Sequence, residues 1–438
     1  MLSAIKSAIE RIDILSKTKP ITIISHFDTD GITSAAIFSR ALQRWNKKFS
    51  VKILKSLEET HILALPEDNL LVFLDLASNS MRYLKNKKTD IFILDHHEIT
   101  DEIPSNVTMI NPHLYDKEPM SGAAVAYLFA KSLSPENKDL ANLAVIGMVG
   151  DSLEKNLGRV YDEILRDSNT VIKKGLLLYP STRPLDKALE YSSSMYIPGV
   201  TGSYLGVLEL LRDANIQKTE DRYKSIHELT DEEMSRLITS IMLRMVGHDT
   251  TQEMIGNLYL VKFFNKLEDA REFSALINAC SRMDNPEIAL GFCLGNRKYI
   301  EQAEKVYIEY KQHLVSALRY VSETDKITGN HYAIINAKDR IKDTIIGTVA
   351  SIISHSPAYP QGTIIVALAY NEDKIKVSAR MSGKEGKNVR EVLSKVVVPL
   401  GGEVGGHPNA AGCLILREQE SQFIQELQKV LEVEPIKV

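Results

Sequence analysis

Apolar and polar positions change their period several times along the first 150 residues. Short unbroken apolar runs, "ITIIS" (21–25), "LLVFLDL" (70–76), "IFILD" (91–95) and "VTMI" (107–110), predict buried strands. Between them "TSAAIFSRALQRW" (33–45) and "SGAAVAYLFAKSL" (121–133) repeat their apolar residues at helical spacing. Strands alternating with helices predict βαβ units and a parallel sheet. From about residue 158 to 325 the pattern is mostly helical, as in "SYLGVLELLRDA", "DEEMSRLITSIMLRM" and the long "EQAEKVYIEYKQHLVSALRYVSE". The last hundred residues mix again. "YAIINA", "GTIIVALAY" and "KIKVSAR" predict strands, with "NED" turning the second into the third, and helices are expected at 388–397 and from 420 onward. No fixed repeat and no low-complexity tract interrupts this order. The reading is α/β: two α/β modules joined by a mostly helical region.

Composition narrows the class. A chain of 438 residues can bury two or three cores, and 44% hydrophobic with 25% charged content is that of a soluble globular protein. A net charge of −4 excludes a polybasic chain, so any nucleic-acid contact must be a local patch. Cys280, Cys293 and Cys413 stand far apart without a CxxC spacing. That argues against a disulfide framework and a structural zinc site, and suits a reducing cytoplasm. The N-terminal "MLSAIKSAIERIDILSK" lacks the continuous apolar core of a signal peptide, and no stretch approaches the ~20 apolar residues of a membrane span. A cytoplasmic protein is expected.

The candidate chemistry sits where the strands end. "TIISHFDTDG" (22–31) closes an apolar run with His26, Asp28 and Asp30, like charges that repel unless something positive lies between them. "LLVFLDL" delivers Asp75, "IFILDHHE" delivers Asp95, His96 and His97, and "LAVIGMVGD" delivers Asp151 after an apolar helical segment. Alone, each carboxylate reads as a helix cap or loop residue, and the His pair as packing. Together they repeat one chemistry at separate element ends, and a parallel sheet lines up its carboxyl ends along one edge, where ligands bind. Mixed His and carboxylate donors suit Mn2+ well and Mg2+ less selectively, whereas zinc would favour thiolates. The set exceeds what one ion needs and matches two ions ~3.5–4 Å apart.

"SHFDTDG", the Asp of "FLDLAS", "LDHHEI" and "GMVGD" resemble the four motifs of the DHH phosphoesterase superfamily. The resemblance implies that His26, Asp28 and Asp75 hold one Mn2+ ion, and that Asp30, Asp75, His96 and Asp151 hold the other, Asp75 bridging. It further implies that His97 faces the substrate phosphate or leaving group, supported by Asp95. The His-x-Asp-x-Asp spacing is that of the nuclease and oligonucleotide branches.

In the last module "PLGGEVGGHPNAAGC" (399–413) reads as a glycine-rich loop, and glycines let backbone N–H groups approach a phosphate. Arg380 in "KIKVSAR" offers a planar guanidinium suited to phosphate, and residues 331–400 carry ten Lys or Arg against six Asp or Glu. "VGGHPNAAG" resembles the "GGGHxxAAG" signature of the nucleic-acid-binding C-terminal domain of RecJ-like and oligoribonuclease-like DHH proteins, with Val404 at the first glycine. By that likeness Arg380, Gly405, Gly406 and His407 bind substrate phosphate. Stretches 183–203 and 276–295 look like archaeal RecJ-type proteins of the GINS-associated nuclease type, whose middle domain docks to the GINS replication complex.

The resemblance implies a parallel-sheet DHH domain over 1–190, a helical middle over 191–325 with partner docking, and a smaller α/β substrate-binding domain over 326–438. It implies a two-metal exonuclease on single-stranded DNA or RNA, releasing nucleoside monophosphates in replication or repair. The rivals are a short-oligonucleotide phosphoesterase and a non-catalytic replication scaffold.

Overall fold

The computed structural model describes every residue except 116, 193–194, 196, 246–253, 265, 357, 384–385 and 433–438, so part of the quoted stretch 183–203 lies outside the described residues. The chain divides into two compact units, one of residues 1–192 and 202–307, the other of 193–201 and 308–438. Among the described residues no helix is long and apolar enough to cross a membrane.

The first unit is built on a five-stranded parallel sheet of β1 (Ile21–His26), β2 (Phe49–Leu54), β3 (Leu70–Leu74), β4 (Ile91–Leu94) and β5 (Val107–Ile110), in the order β2-β1-β3-β4-β5. The four predicted strands are present. β2 was not foreseen, because its pattern alternates and leaves Ser50 and Lys52 exposed at the sheet edge. β3 and β4 are buried throughout, as helices on both faces require of a parallel sheet. One face packs α1 (Leu2–Leu15), α2 (Thr29–Arg44), α3 (Gly122–Leu133) and α4 (Ala141–Gly150) into a core around Ile23, Phe38, Val72, Tyr127 and Phe129. The other face buries Ile24, Phe73 and Ile93 against Met81 and Leu84. The strand order reverses between β1 and β3, and such a switch point opens a crevice at the carboxyl ends.

The middle region is helical with one correction. It also holds a three-stranded antiparallel sheet, β6 (Val171–Leu176), β7 (Ile255–Phe263) and β8 (Lys266–Asp269), in the order β6-β7-β8. β6 escapes pattern reading because Val171 and Ile172 are about half exposed. β8 leads into α5 (Ala270–Arg282), which packs on α4 and α2. The long α6 (Arg297–Glu323) follows.

The second unit holds a six-stranded mixed sheet: β9 (Ile327–Gly329), β10 (Tyr332–Asn336), β11 (Ile364–Asn371), β12 (Lys374–Met381), β13 (Val404–His407) and β14 (Ala410–Leu416), ordered β13-β14-β12-β11-β10-β9. Alternation along β12 sends Ile375, Val377 and Ala379 into a core with Leu393 and Phe423 and leaves Lys376, Ser378 and Arg380 on the opposite face. That core includes residues of α8 (Val389–Val397) and α9 (Glu420–Glu432), while α7 (Asp343–Ser354) packs on β11 and β12. The glycine-rich stretch corrects an expectation. It is no open loop: Gly405, Gly406 and His407 form the edge strand β13, paired with Gly412, Ala411 and Ala410 of β14 across the two residues Pro408 and Asn409.

Candidate functional site

Asp28 lies two residues beyond β1 and caps α2, its Oδ1 accepting from the Gly31 N–H at 3.0 Å. The cap leaves the other oxygen, Oδ2, to face His26 Nδ1 at 2.9 Å. Asp30 lies in the first turn of α2 and is fully buried. Its two oxygens accept from the N–H groups of Gly122 (2.5 Å) and Ala123 (2.9 Å), the free N–H groups at the start of α3, where the helix dipole favours a carboxylate. Asp75 follows β3 in a left-handed conformation (φ 56°), and Ala77 beyond it has φ 86°, a strained turn that projects the carboxylate from the sheet edge.

Asp95 follows β4 and is fully buried. Its Oδ2 accepts from the Ser78 N–H at 3.0 Å, and its Oδ1 from the His96 N–H at 2.7 Å, with His97 Nδ1 at 2.8 Å. Asp95 thus orders the turn and both imidazoles. His96 Nε2 lies 3.1 Å from Asp151 Oδ2, 3.2 Å from Asp75 Oδ1 and 3.7 Å from Asp30 Oδ2. His26 Nδ1 is 3.7 Å from Asp75 Oδ2.

The structure brings every predicted residue of the first unit into one cluster. Three groups have ligand atoms within 4.8 Å of one another: His26, Asp28 and Asp75; Asp30, His96 and Asp151; and Asp75, Asp95, His96 and His97. Asp75 Oδ1 and Asp151 Oδ2 are buried with no hydrogen-bond partner. The charges are out of balance. Burial and then the neighbouring Asp75 carboxylate push Asp30 up to about 7, and burial and then Asp30 push Asp151 up to about 10. Burial opposes charging of His96, yet the Asp75, Asp30 and Asp151 carboxylates outweigh it and raise it to about 10. For Asp28, burial is outweighed by His26, which holds the carboxyl low; for Asp95 it is outweighed by His97. Such a site draws protons onto its imidazoles and onto two of its carboxyls, and hard divalent cations fit its oxygen and imidazole donors.

Sequence reasoning missed the wall behind the cluster. A Cβ on Gly122 would stand 2.8 Å from Asp75 Cβ and 3.0 Å from Asp30 Oδ2, and one on Gly147 would stand 2.6 Å from Asp30 Oδ1. Only glycine lets α3 and α4 come this close. Asn111, fully buried at the end of β5, was missed too; its Nδ2 donates to Ser78 Oγ (3.0 Å) and the His97 carbonyl (2.9 Å). The signal available was a polar residue closing an apolar strand, "VTMIN".

In the second unit Arg380 is the penultimate residue of β12. Its Nε donates to Ser351 Oγ at 2.9 Å and its Nη1 to the Ala379 carbonyl at 2.9 Å. It is positioned by the protein. Gly405, Gly406 and His407 are exposed on β13, and a Cβ on Gly405 would meet nothing within 4 Å.

Three family models match the chain: the DHH family N-terminal domain over residues 20–148, the DHH-CID domain over 178–259 and the DHHA1 domain over 329–433. The single-stranded-DNA-specific exonuclease RecJ of Bacillus subtilis is 26% identical over 167 residues, 34% of this chain and 21% of that protein. It is a RecJ-like DHH protein. An uncharacterised protein of Methanocaldococcus jannaschii is 25% identical to this RecJ-like chain over 436 residues, 95% of the chain and 94% of that protein. The fold of the RecJ-like chain is shared with RecJ from Thermus thermophilus in complex with Mn2+ (TM-score 0.60, 16% identity, 98% of this chain), of which it spans 55%. It is also shared with CDC45 from Entamoeba histolytica (TM-score 0.65, 12% identity, 99% of each chain).

Proposed function

We propose that the chain is a metal-dependent phosphodiesterase acting as an exonuclease on single-stranded DNA, and on RNA as a second substrate, in replication or repair. One observation carries this reading: His26, Asp28, Asp30, Asp75, Asp95, His96, His97 and Asp151, drawn from all four motifs, fall into clustered ligand groups. His26, Asp28 and Asp75 would hold one cation, and Asp30, Asp75, His96 and Asp151 the other; Mn2+ is the first choice and Mg2+ the second. Asp75 Oδ1 and Asp151 Oδ2, both buried, beside His96 Nε2 and without a hydrogen-bond partner, support this assignment. When bound, such a pair supplies neutralisation of the phosphate oxygens and a more acidic water.

The protein's own groups do the rest. His97, with Nδ1 held by Asp95 and its ring half exposed, is placed to give a proton to the departing sugar oxygen as water adds to phosphorus and the P–O bond to that oxygen breaks. Its pKa is raised: burial opposes this, but the Asp95 carboxylate outweighs it, which favours the proton-bearing form. Arg380, Gly405, Gly406 and His407 would bind neighbouring phosphates. The working division is catalysis within 1–190, partner docking within 191–325, with GINS as the partner, and substrate binding within 326–438.

The likeness to CDC45 favours a second reading, a replication scaffold without hydrolysis. A third, a short-oligonucleotide phosphoesterase, shares the same residues. Turnover against substrate length at fixed salt and Mn2+ separates them. Mononucleotide release from strands of roughly ten or more residues is expected at least as fast as from dinucleotides, because each neutralised phosphate adds affinity. Duplex ends should be poor substrates, since Asp30 and Asp75 are only 0% and 2% exposed. A rate peaking at about two to four nucleotides and collapsing for longer strands would favour the third reading. No hydrolysis with Mn2+ at any length would favour the scaffold.

A further inference from the structure

We infer that Asn278, on α5, is a positioning residue for the acidic centre: it fixes the turn that separates Asp28 from Asp30. This rests on the cation reading above and adds to it a segment that no matched family domain covers, since the DHH-CID match ends at 259 and the DHHA1 match begins at 329.

Asp28 groups with His26 and Asp75, and Asp30 with His96 and Asp151, so the Thr29 peptide between them sets the spacing of the two groups. Thr29 is the first residue of α2, where an N–H has no partner within the helix, and it is 1% exposed. Its N–H donates to Asn278 Oδ1 at 3.0 Å. Its hydroxyl donates to the Ser274 carbonyl at 3.0 Å, and Ser274 Oγ donates back to that hydroxyl at 3.1 Å. Both hydrogen-bond donors of Thr29 are therefore anchored to one helix that lies some 250 residues away in sequence.

The same helix reaches the second turn of the centre. Arg271 Nη2 lies 3.2 Å from Glu154 Oε1, just beyond Asp151, and its guanidinium carbon lies 4.2 Å from the centroid of the Tyr179 ring. α5 thus ties down the Asp28–Asp30 turn and the Asp151 turn at once. The residue type suits the task. An amide oxygen satisfies the Thr29 N–H without adding a further negative charge beside carboxylates that already repel one another.

The test is Mn2+ binding to the full chain, measured by titration calorimetry, with folding followed by circular dichroism. Asn278→Ala should weaken Mn2+ binding by about 10–100-fold, the range for partners that orient a metal ligand. Cys280→Ala, on the same helix with its thiol toward the Ala303 carbonyl, should leave affinity unchanged. Asn278→Asp, which keeps the acceptor, should lose less than Asn278→Ala. Unchanged affinity in Asn278→Ala, or an equal loss in Cys280→Ala, overturns the inference. Should Asn278→Ala not fold, Asn278→Asp decides: a loss within the 10–100-fold range overturns it, and a smaller one supports it. Wild-type protein that takes up no Mn2+ would remove the cation reading itself, a result distinct from wild-type binding that the substitution leaves untouched.

Discussion

The acidic centre of the first unit and the glycine-arginine strip of the second were both approached through short motifs, and they are built on opposite principles. The centre is recessed and electrostatically incomplete: burial and then Asp75 push Asp30 up, burial and then Asp30 push Asp151 up, and two buried oxygens beside His96 have no hydrogen-bond partner. The strip is exposed along its glycines, with Gly405 open to solvent, and Arg380 is half-buried and already bonded to Ser351 and to backbone. A site that must grip small cations holds its donors in place before they arrive and tolerates repulsion to do so. A surface that follows a sugar-phosphate backbone needs little more than placed positive charge and access.

The sharpest way to break this contrast is Asp75→Asn. Asp75 is common to two of the ligand groups, so hydrolysis of an end-labelled strand with Mn2+ should fall below detection. The protein should still fold, because a charge leaves a repelling cluster, and Mn2+ should no longer raise its melting temperature. Activity within tenfold (about 1.4 kcal/mol) of the wild type would show that the centre does not depend on its shared carboxylate. A smaller effect is expected from His97→Asn. The rate should drop by about 10²–10⁴-fold, as for loss of a proton donor, with Mn2+ affinity kept; loss of the metal instead would move His97 from acid to ligand. Smallest is Arg380→Ala. Single-strand affinity should weaken and the slope of its salt dependence should fall by about one, with Mn2+ affinity untouched. An unchanged salt slope would return β12 to a merely structural strand.

How far the sequence could be read follows the same divide. Strand-end carboxylates were legible because β1, β3 and β4 are uninterrupted apolar runs that stop at the residue that matters. Asp151 was legible because α4 is apolar almost throughout and the polar residue follows at once. What surrounds these residues was not. The Gly122 and Ala123 N–H groups that hold Asp30 are backbone, carrying no residue-type signal, and Gly147 acts through the side chain it lacks. Asn278 reaches Thr29 across a separation that no local pattern encodes. The glycine-rich edge of the β13–β14 hairpin was read as a loop because glycines mask the alternation of a strand, and β6 was passed over in a region read as helical because Val171 and Ile172 face outward.

Asp28 carries a lesson for experimental design. One of its oxygens starts a helix while the other faces the imidazole of His26, so two duties share one side chain. Truncating it to alanine confounds them, since loss of the cap alone costs about 0.5–2 kcal/mol whatever happens to the ion. Asparagine caps a helix about as well as aspartate does and differs from it in charge. Asp28→Asn is therefore the probe that isolates electrostatics, and the alanine variant, read against it, reports how much of the apparent ligand effect belongs to the start of α2.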